Sequence, residues 1–225
     1  MKLRIISAIL GALFLASPAS AQMSYNIRPY LNGKAILVIG LFERNDDLAA
    51  FEKLIVDNHP AYVFFNSPGG DLLSSIHHGE IIRKYGLTTK QIQMEGIECA
   101  SACVYAFMGG EWRMAQSGAL GIHQATLPHG KFNDQAELIS DVQTMIGAIL
   151  QYMDVMGVDL RLAQYIFSTK PEDLIRPNQE QMLAYHLTTE QFEDEVKPDP
   201  TINKPDTVSN MVLHDPPIPE PKPQQ

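Results

Sequence analysis

The residues able to do chemistry in this chain sit in three short stretches. These are Asn66-Ser67-Pro68-Gly69-Gly70, Cys99-Ala100-Ser101-Ala102-Cys103 and Gly121-Ile122-His123-Gln124. Serine is a weak nucleophile at neutral pH and attacks a carbonyl only when a base is placed to take its proton. Histidine titrates near neutrality and suits that task, provided that a third group fixes its tautomer. Ser101 reads as the start of a short helix, where the amide of Ala102 would face developing negative charge. Ala100 and Ala102 are small enough to let a substrate carbonyl approach. Gly69 and Gly70 offer the complementary part, backbone N–H groups in a turn whose dihedrals and close contacts favour glycine. Pro-Gly-Gly alone is an ordinary turn. The ordered set implies acyl transfer, with Ser101 as nucleophile, His123 as base, and Gly69, Gly70 and Ala102 as donors to an oxyanion.

Both cysteines of the chain flank that serine. In an oxidising compartment Cys99 and Cys103 are a disulfide candidate. Were residues 99–103 wholly helical, a rise of about 6 Å over four residues would be near the upper limit for a bridge. With Cys99 just ahead of the helix the sulfurs come closer or turn apart, and the sequence leaves both open. Two thiols without nearby Cys or His partners are a weak zinc signal. His77, His78 and Glu80 lie on a helical pattern, but no second ligand motif matches them, so a packed or solvated pair is the better reading. No metal and no organic cofactor is implied.

The elements that must position these groups follow from periodicity. Ala35 to Gly40 is a continuous apolar run, as in a strand buried on both faces. Asp46 or Asp47 can cap a helix carrying Leu48, Phe51, Leu54 and Ile55. A second strand, Ala61 to Phe65, ends at the glycine turn, and Asp71 caps a second helix that Gly86 closes. Thr88 to Met94 reads as a strand leading into the serine segment, whose helix stops at Gly109-Gly110. Gly118 to His123 is the next strand. Asp134 to Met156 forms one long helical pattern whose Leu138, Val142, Met145, Ile149 and Met153 read as core or a subunit interface. A shorter helix spans Leu160 to Phe167, and Asn178 with Gln181 can form a capping box. Strand–helix repetition with short connections predicts an α/β fold, a mostly parallel sheet covered by helices.

The two ends differ in character from this core. Met1-Lys2-Leu3-Arg4, an apolar stretch from Ile5 to Ala16 and Ala19-Ser20-Ala21 form the three parts of a signal peptide, residues 1–21. The stretch is shorter than the roughly 20 residues a membrane-spanning helix needs. Cleavage after Ala21 is expected, giving a periplasmic or secreted protein with no membrane span. Residues 22–196 fit one domain. Residues 197–225, with Pro198, Pro200, Pro205, Pro216, Pro217, Pro219, Pro221 and Pro223, form a Pro-rich acidic tail expected to be disordered or extended. The formal net charge is −9, without a Lys/Arg cluster, which argues against nucleic-acid binding.

From about Ala35 to Thr189 these motifs resemble the Clp protease proteolytic subunit and its relatives, which include signal peptide peptidase A and the wider crotonase-like fold. Asn66-Ser67-Pro68-Gly69-Gly70-Asp71 is similar to the family's oxyanion segment. Ser101 falls at its nucleophile and His123, 22 residues later, at its histidine. The chain looks most like exported members that pair a signal peptide with Cys-x-Ser-x-Cys. The resemblance implies a Clp/crotonase-like fold and a serine endopeptidase-like hydrolase that acts through an acyl-enzyme on peptide or protein substrates, as a homo-oligomer. The ATPase unfoldase of the Clp family is not carried over, because a periplasm supplies no ATP. Setting Tyr185-His186-Leu187 on the family's Tyr-Gly-Leu puts its triad acid at Leu174, so the resemblance assigns the acid to Asp173, with Glu172 in reserve. The alternative is an inactive exported adaptor that keeps the fold and binds partners through its groove or its tail.

Overall fold

The computed structural model describes residues 23–126 and 134–192; the expected leader and tail lie outside these. The chain opens with a hairpin, β1 (Ser24–Tyr30) and β2 (Gly33–Ile39), paired antiparallel. The sequence reading missed β1, because its residues are half-buried or exposed and include Pro29, which suits only an edge strand. Next come α1 (Leu48–Asn58), β3 (Tyr62–Asn66), α2 (Leu72–Lys84) and β4 (Thr88–Gln91). The serine segment supplies β5 (Cys99–Ala100) and α3 (Ala102–Met108), followed by β6 (Arg113–Ala115) and β7 (Leu120–Gly121). Helices α4 (Gln135–Val155), α5 (Leu162–Ser168) and α6 (Gln179–Ala184) complete the described chain.

The main sheet has the order β1-β2-β3-β4-β6 and is parallel except for the opening hairpin. Ile36, Val38, Val63 and Phe65 are buried on one face, in the same core as Phe51 and Ile55 of α1 and Ile82 of α2. The expectation that the apolar run is covered on both faces needs correction. Leu37 and Phe64 are only half-buried and Ile39 is exposed, so the opposite face of β2 and β3 is incompletely covered. The caps of α1, α2 and α6 fall where the sequence placed them, and Asp134, read as the first residue of the long helix, is the cap of α4. The side chains of Asp47, Asp71 and Asp134 accept first-turn amides of α1, α2 and α4, and Asn178 and Gln181 form a capping box on α6.

The short helix α3 is buried along its whole length. Its C-terminal end is held by two cations. Arg83 donates through Nε to Gly109 O (3.0 Å) and through Nη2 to Gly110 O (2.9 Å). Arg113, only 2% exposed, donates to Gly110 O (2.9 Å), Met156 O (3.1 Å), His186 O (2.8 Å) and Leu187 O (3.1 Å). The two guanidiniums thereby satisfy carbonyls that follow α3, α4 and α6, where cations are favoured by the helix dipoles. Burial and then the proximity of Arg83 lower the Arg113 pKa to about 10, which leaves it charged at neutral pH.

His78 is fully buried and internally satisfied. Its Nδ1 bonds to Ser74 O (2.8 Å), so its Nε2 accepts the Tyr25 hydroxyl at 2.7 Å. His77, on the same helix, is exposed. The adjacent histidines are therefore split between core and solvent.

Two outcomes follow from these buried groups. Arg113→Met should lower the unfolding free energy by about 3 kcal/mol or more, since several buried carbonyls lose their donors together; urea titration measures it. Burial holds the His78 pKa below its ordinary 6.5. The unfolded chain then binds the proton first, so stability is lost as pH falls from 6.5 toward the folded pKa. Melting temperature against pH should show this acid-side slope, and His78→Gln should flatten it.

Candidate active site

Three backbone segments lie side by side beyond the carboxyl end of β3. Ser67 forms a parallel bridge with Cys99 of β5, and β5 pairs in parallel with β7. Ser67 N donates to Glu98 O (2.7 Å), Ala100 N to Ser67 O (3.1 Å) and Ser101 N to Gly121 O (2.8 Å). On the far side Ile122 exchanges two hydrogen bonds with Ile175, at 2.9 and 3.1 Å. The glycine turn, the serine turn and the histidine strand are thus ordered by backbone pairing, not by contacts between their functional side chains.

Ser101 occupies the turn between β5 and α3 with φ 56° and ψ −126°. A non-glycine residue there costs about 1–3 kcal/mol and persists only when its surroundings enforce it. Both its backbone groups are engaged, the carbonyl accepting Val104 N at 3.1 Å. Cys99 and Cys103 are bridged, with Cα atoms 5.3 Å apart and both residues fully buried. The structure selects the bridged alternative because Cys99 lies in a strand and the chain reverses at Ser101.

The glycine turn packs directly on this serine. Gly69 and Gly70 have φ of 112° and 128°. A Cβ on Gly69 would lie 2.7 Å from Ser101 Cβ and 3.0 Å from Ala102 N, closer than side-chain carbons come. The N–H of Gly69 is spent on Ser67 Oγ at 3.2 Å. The N–H groups of Gly70 and Ala102 donate to nothing among the described residues. Both residues line one cavity of about 500 Å³, together with Ser101 and His123.

That cavity is walled by Leu72, Ile76, Tyr105 and Met145, and its charged lining is Arg44, Asp71 and Asp141. Arg44 lies 3.7 Å from Asp71, which also caps α2. The long-helix stripe divides. Ile149 and Met153 are core, whereas Met145 faces the cavity with Asp141, Thr144 and Ala148. Sequence reasoning missed this wall, although those four positions share one helical face. Tyr105 carried no sequence signal.

Ser101 and His123 border the same space, but no hydrogen bond joins them. His123 Nδ1 is buried and has no partner among the described residues. The expected acid requires correction. Asp173 and Glu172 are exposed, and neither hydrogen-bonds to His123. The chain pairs with the histidine strand at Thr169 and Ile175 and loops out between, with Asp173 N held by Lys170 O (3.0 Å). Leu174, at the position where the family resemblance puts its acid, lies instead against Gly121.

The sequence matches no protein-family model and no curated protein sequence. In three dimensions the chain is similar to a serine-to-alanine mutant of the 1510-N membrane-bound stomatin-specific protease. The TM-score is 0.50 at 15% identity, covering 72% of this chain and 79% of that one. A lysine-to-alanine mutant of the same protease, in complex with a substrate peptide, aligns with a TM-score of 0.48 at 14% identity over 72% and 74% of the two chains. The fold is Clp-like. Within that fold Ser101, Gly70, Ala102 and His123 line one cavity, and the amides of Gly70 and Ala102 have no acceptor among the described residues.

Gly69→Ala tests the packing of the two turns. The added Cβ must displace Ser101 and the residue must keep a positive φ, so a loss of at least about 1–3 kcal/mol is expected. Thermal melting checks it.

Proposed function

We propose that this chain is an exported serine hydrolase of peptidase type, acting without ATP on peptides or flexible protein segments. The observation that carries the reading is the strained Ser101 turn at a cavity that Gly70 and Ala102 also line, whose amides have no acceptor among the described residues. Strain of this kind gathers at functional sites, and paired unpartnered amides are what a tetrahedral oxyanion needs.

In this reading the substrate carbonyl oxygen lies between Gly70 N and Ala102 N, while Ser101 Oγ attacks the carbon. The imidazole of His123 takes the hydroxyl proton and returns it to the leaving amine. Water then attacks the acyl-enzyme, with His123 again as base, and releases Ser101. Catalytic hydrogen bonds often close only once substrate is bound, so His123 is assigned a side-chain rotation toward Ser101. Gly69 serves the site through packing rather than as a donor. The working unit is a Ser–His pair, because Asp173 and Glu172 do not reach the imidazole. The apolar wall of Leu72, Ile76, Tyr105 and Met145 suits an uncharged substrate side chain. The leader and the paired cysteines support export to an oxidising compartment, and the fold resemblance supports a homo-oligomer. Among the described residues no helix is long and apolar enough to cross a membrane.

A second reading, the non-catalytic adaptor, is favoured by the unpartnered Nδ1 and the missing Ser–His hydrogen bond. A fluorophosphonate probe separates the two. The hydrolase becomes labelled on Ser101, Ser101→Ala abolishes the adduct, and His123→Ala slows it by about 10⁴-fold or more. Asp173→Asn leaves the rate unchanged. A folded protein that stays unlabelled from acid to alkaline pH is the adaptor.

A further inference from the structure

We propose that the Cys99–Cys103 disulfide is a positioning device for the nucleophile, so that the oxidised protein is the acylating form. The inference rests on the hydrolase reading of Ser101 and extends it to the control of that site.

The bridge encloses the serine. Cys99 lies in β5, Cys103 in the first turn of α3, and Ser101 is the midpoint, at φ 56°. A strand of this length, advancing about 3.3 Å per residue, would separate residues 99 and 103 by roughly 13 Å. The bridge holds their Cα atoms at 5.3 Å. Extension of the 99–103 segment as a whole is therefore excluded while the sulfurs are joined. Besides the β5–β7 pairing and the anchored α3 on either side, Ser101 itself is restrained by two hydrogen bonds, to Gly121 O and from Val104 N, and by the contact with Gly69. These are individually weak against the tendency of a non-glycine residue to leave positive φ.

The same bridge is poorly placed to stabilise the fold as a whole. Restriction of the unfolded chain grows with the length of the closed loop, and a sequence separation of four is close to the minimum. Its constraint falls instead on Ser101 Oγ and Ala102 N, which follow the turn. A displacement of the order of 1 Å at a reacting group can cost about 10²-fold in rate.

The test compares the mature wild type with Cys99→Ala/Cys103→Ala, both labelled by fluorophosphonate well below their own melting temperatures. A positioning role predicts a first-order labelling rate lower by about 10²-fold at full final amplitude, with an unchanged pH profile because His123 is intact. A merely structural role lowers the amplitude, through the folded fraction, and leaves the rate constant alone; that result overturns the proposal. Should the double variant fail to fold, wild type is reduced under native conditions with a water-soluble phosphine. The S–S bond breaks to two thiols, the phosphine becomes its oxide, and water supplies the oxygen and protons. Reduced, folded protein that labels as fast as the oxidised form also overturns the proposal. Wild type that never labels removes the hydrolase reading itself, and the inference with it, before the cysteine arm is reached.

Discussion

Backbone pairing at Ser67 is the constraint on which the rest of the structure depends. This residue is fully buried, and each of its polar groups is used. Its N–H goes to Glu98 O, its carbonyl accepts Ala100 N, and its hydroxyl accepts Gly69 N. One residue thereby sets the end of β3 against β5 and shapes the glycine turn that follows. Buried backbone groups must find partners, so the ladder from Ser67 through Cys99, Leu120, Ile122 and Ile175 fixes the order of the segments before any functional side chain is considered.

The same ladder explains why α3 can be both short and well placed. Seven residues are too few to hold a helix together in water. This one is enclosed by core residues, tied at its start through the serine turn and the disulfide, and tied at its end by Arg83 and Arg113. The guanidiniums also reach the carbonyls of Met156, His186 and Leu187, so the ends of three helices share one pair of cations. The Ser101 turn is anchored from both sides by buried polar groups, and its unusual dihedrals can persist there.

The imidazole is placed by β7 and by the segment running from Thr169 to Ile175. That segment supplies backbone bonds and a leucine, not a carboxylate, where a triad would have its acid. The departure matters for chemistry, because an unfixed tautomer weakens a base. It also sets this site apart from a complete Ser-His-Asp arrangement.

Much of this was legible in the sequence because it is local. Apolar runs and helical spacing placed β2, α1, β3, α2 and α4, and short polar side chains marked the caps at Asp47, Asp71 and Asn178. The grouping of Ser101, His123 and the glycines was also legible, since positive φ, small neighbours and a titratable ring each restrict residue type. Tertiary structure alone decided which amides lack an acceptor among the described residues, Gly70 and Ala102 rather than Gly69, because that depends on where Ser67 Oγ lies. It decided that the cysteines are joined, that Met145 faces the cavity while Met153 faces the core, and that Asp173 turns outward. Each of these turns on the direction of a single side chain or N–H relative to a segment distant in sequence, a quantity that neither composition nor periodicity contains.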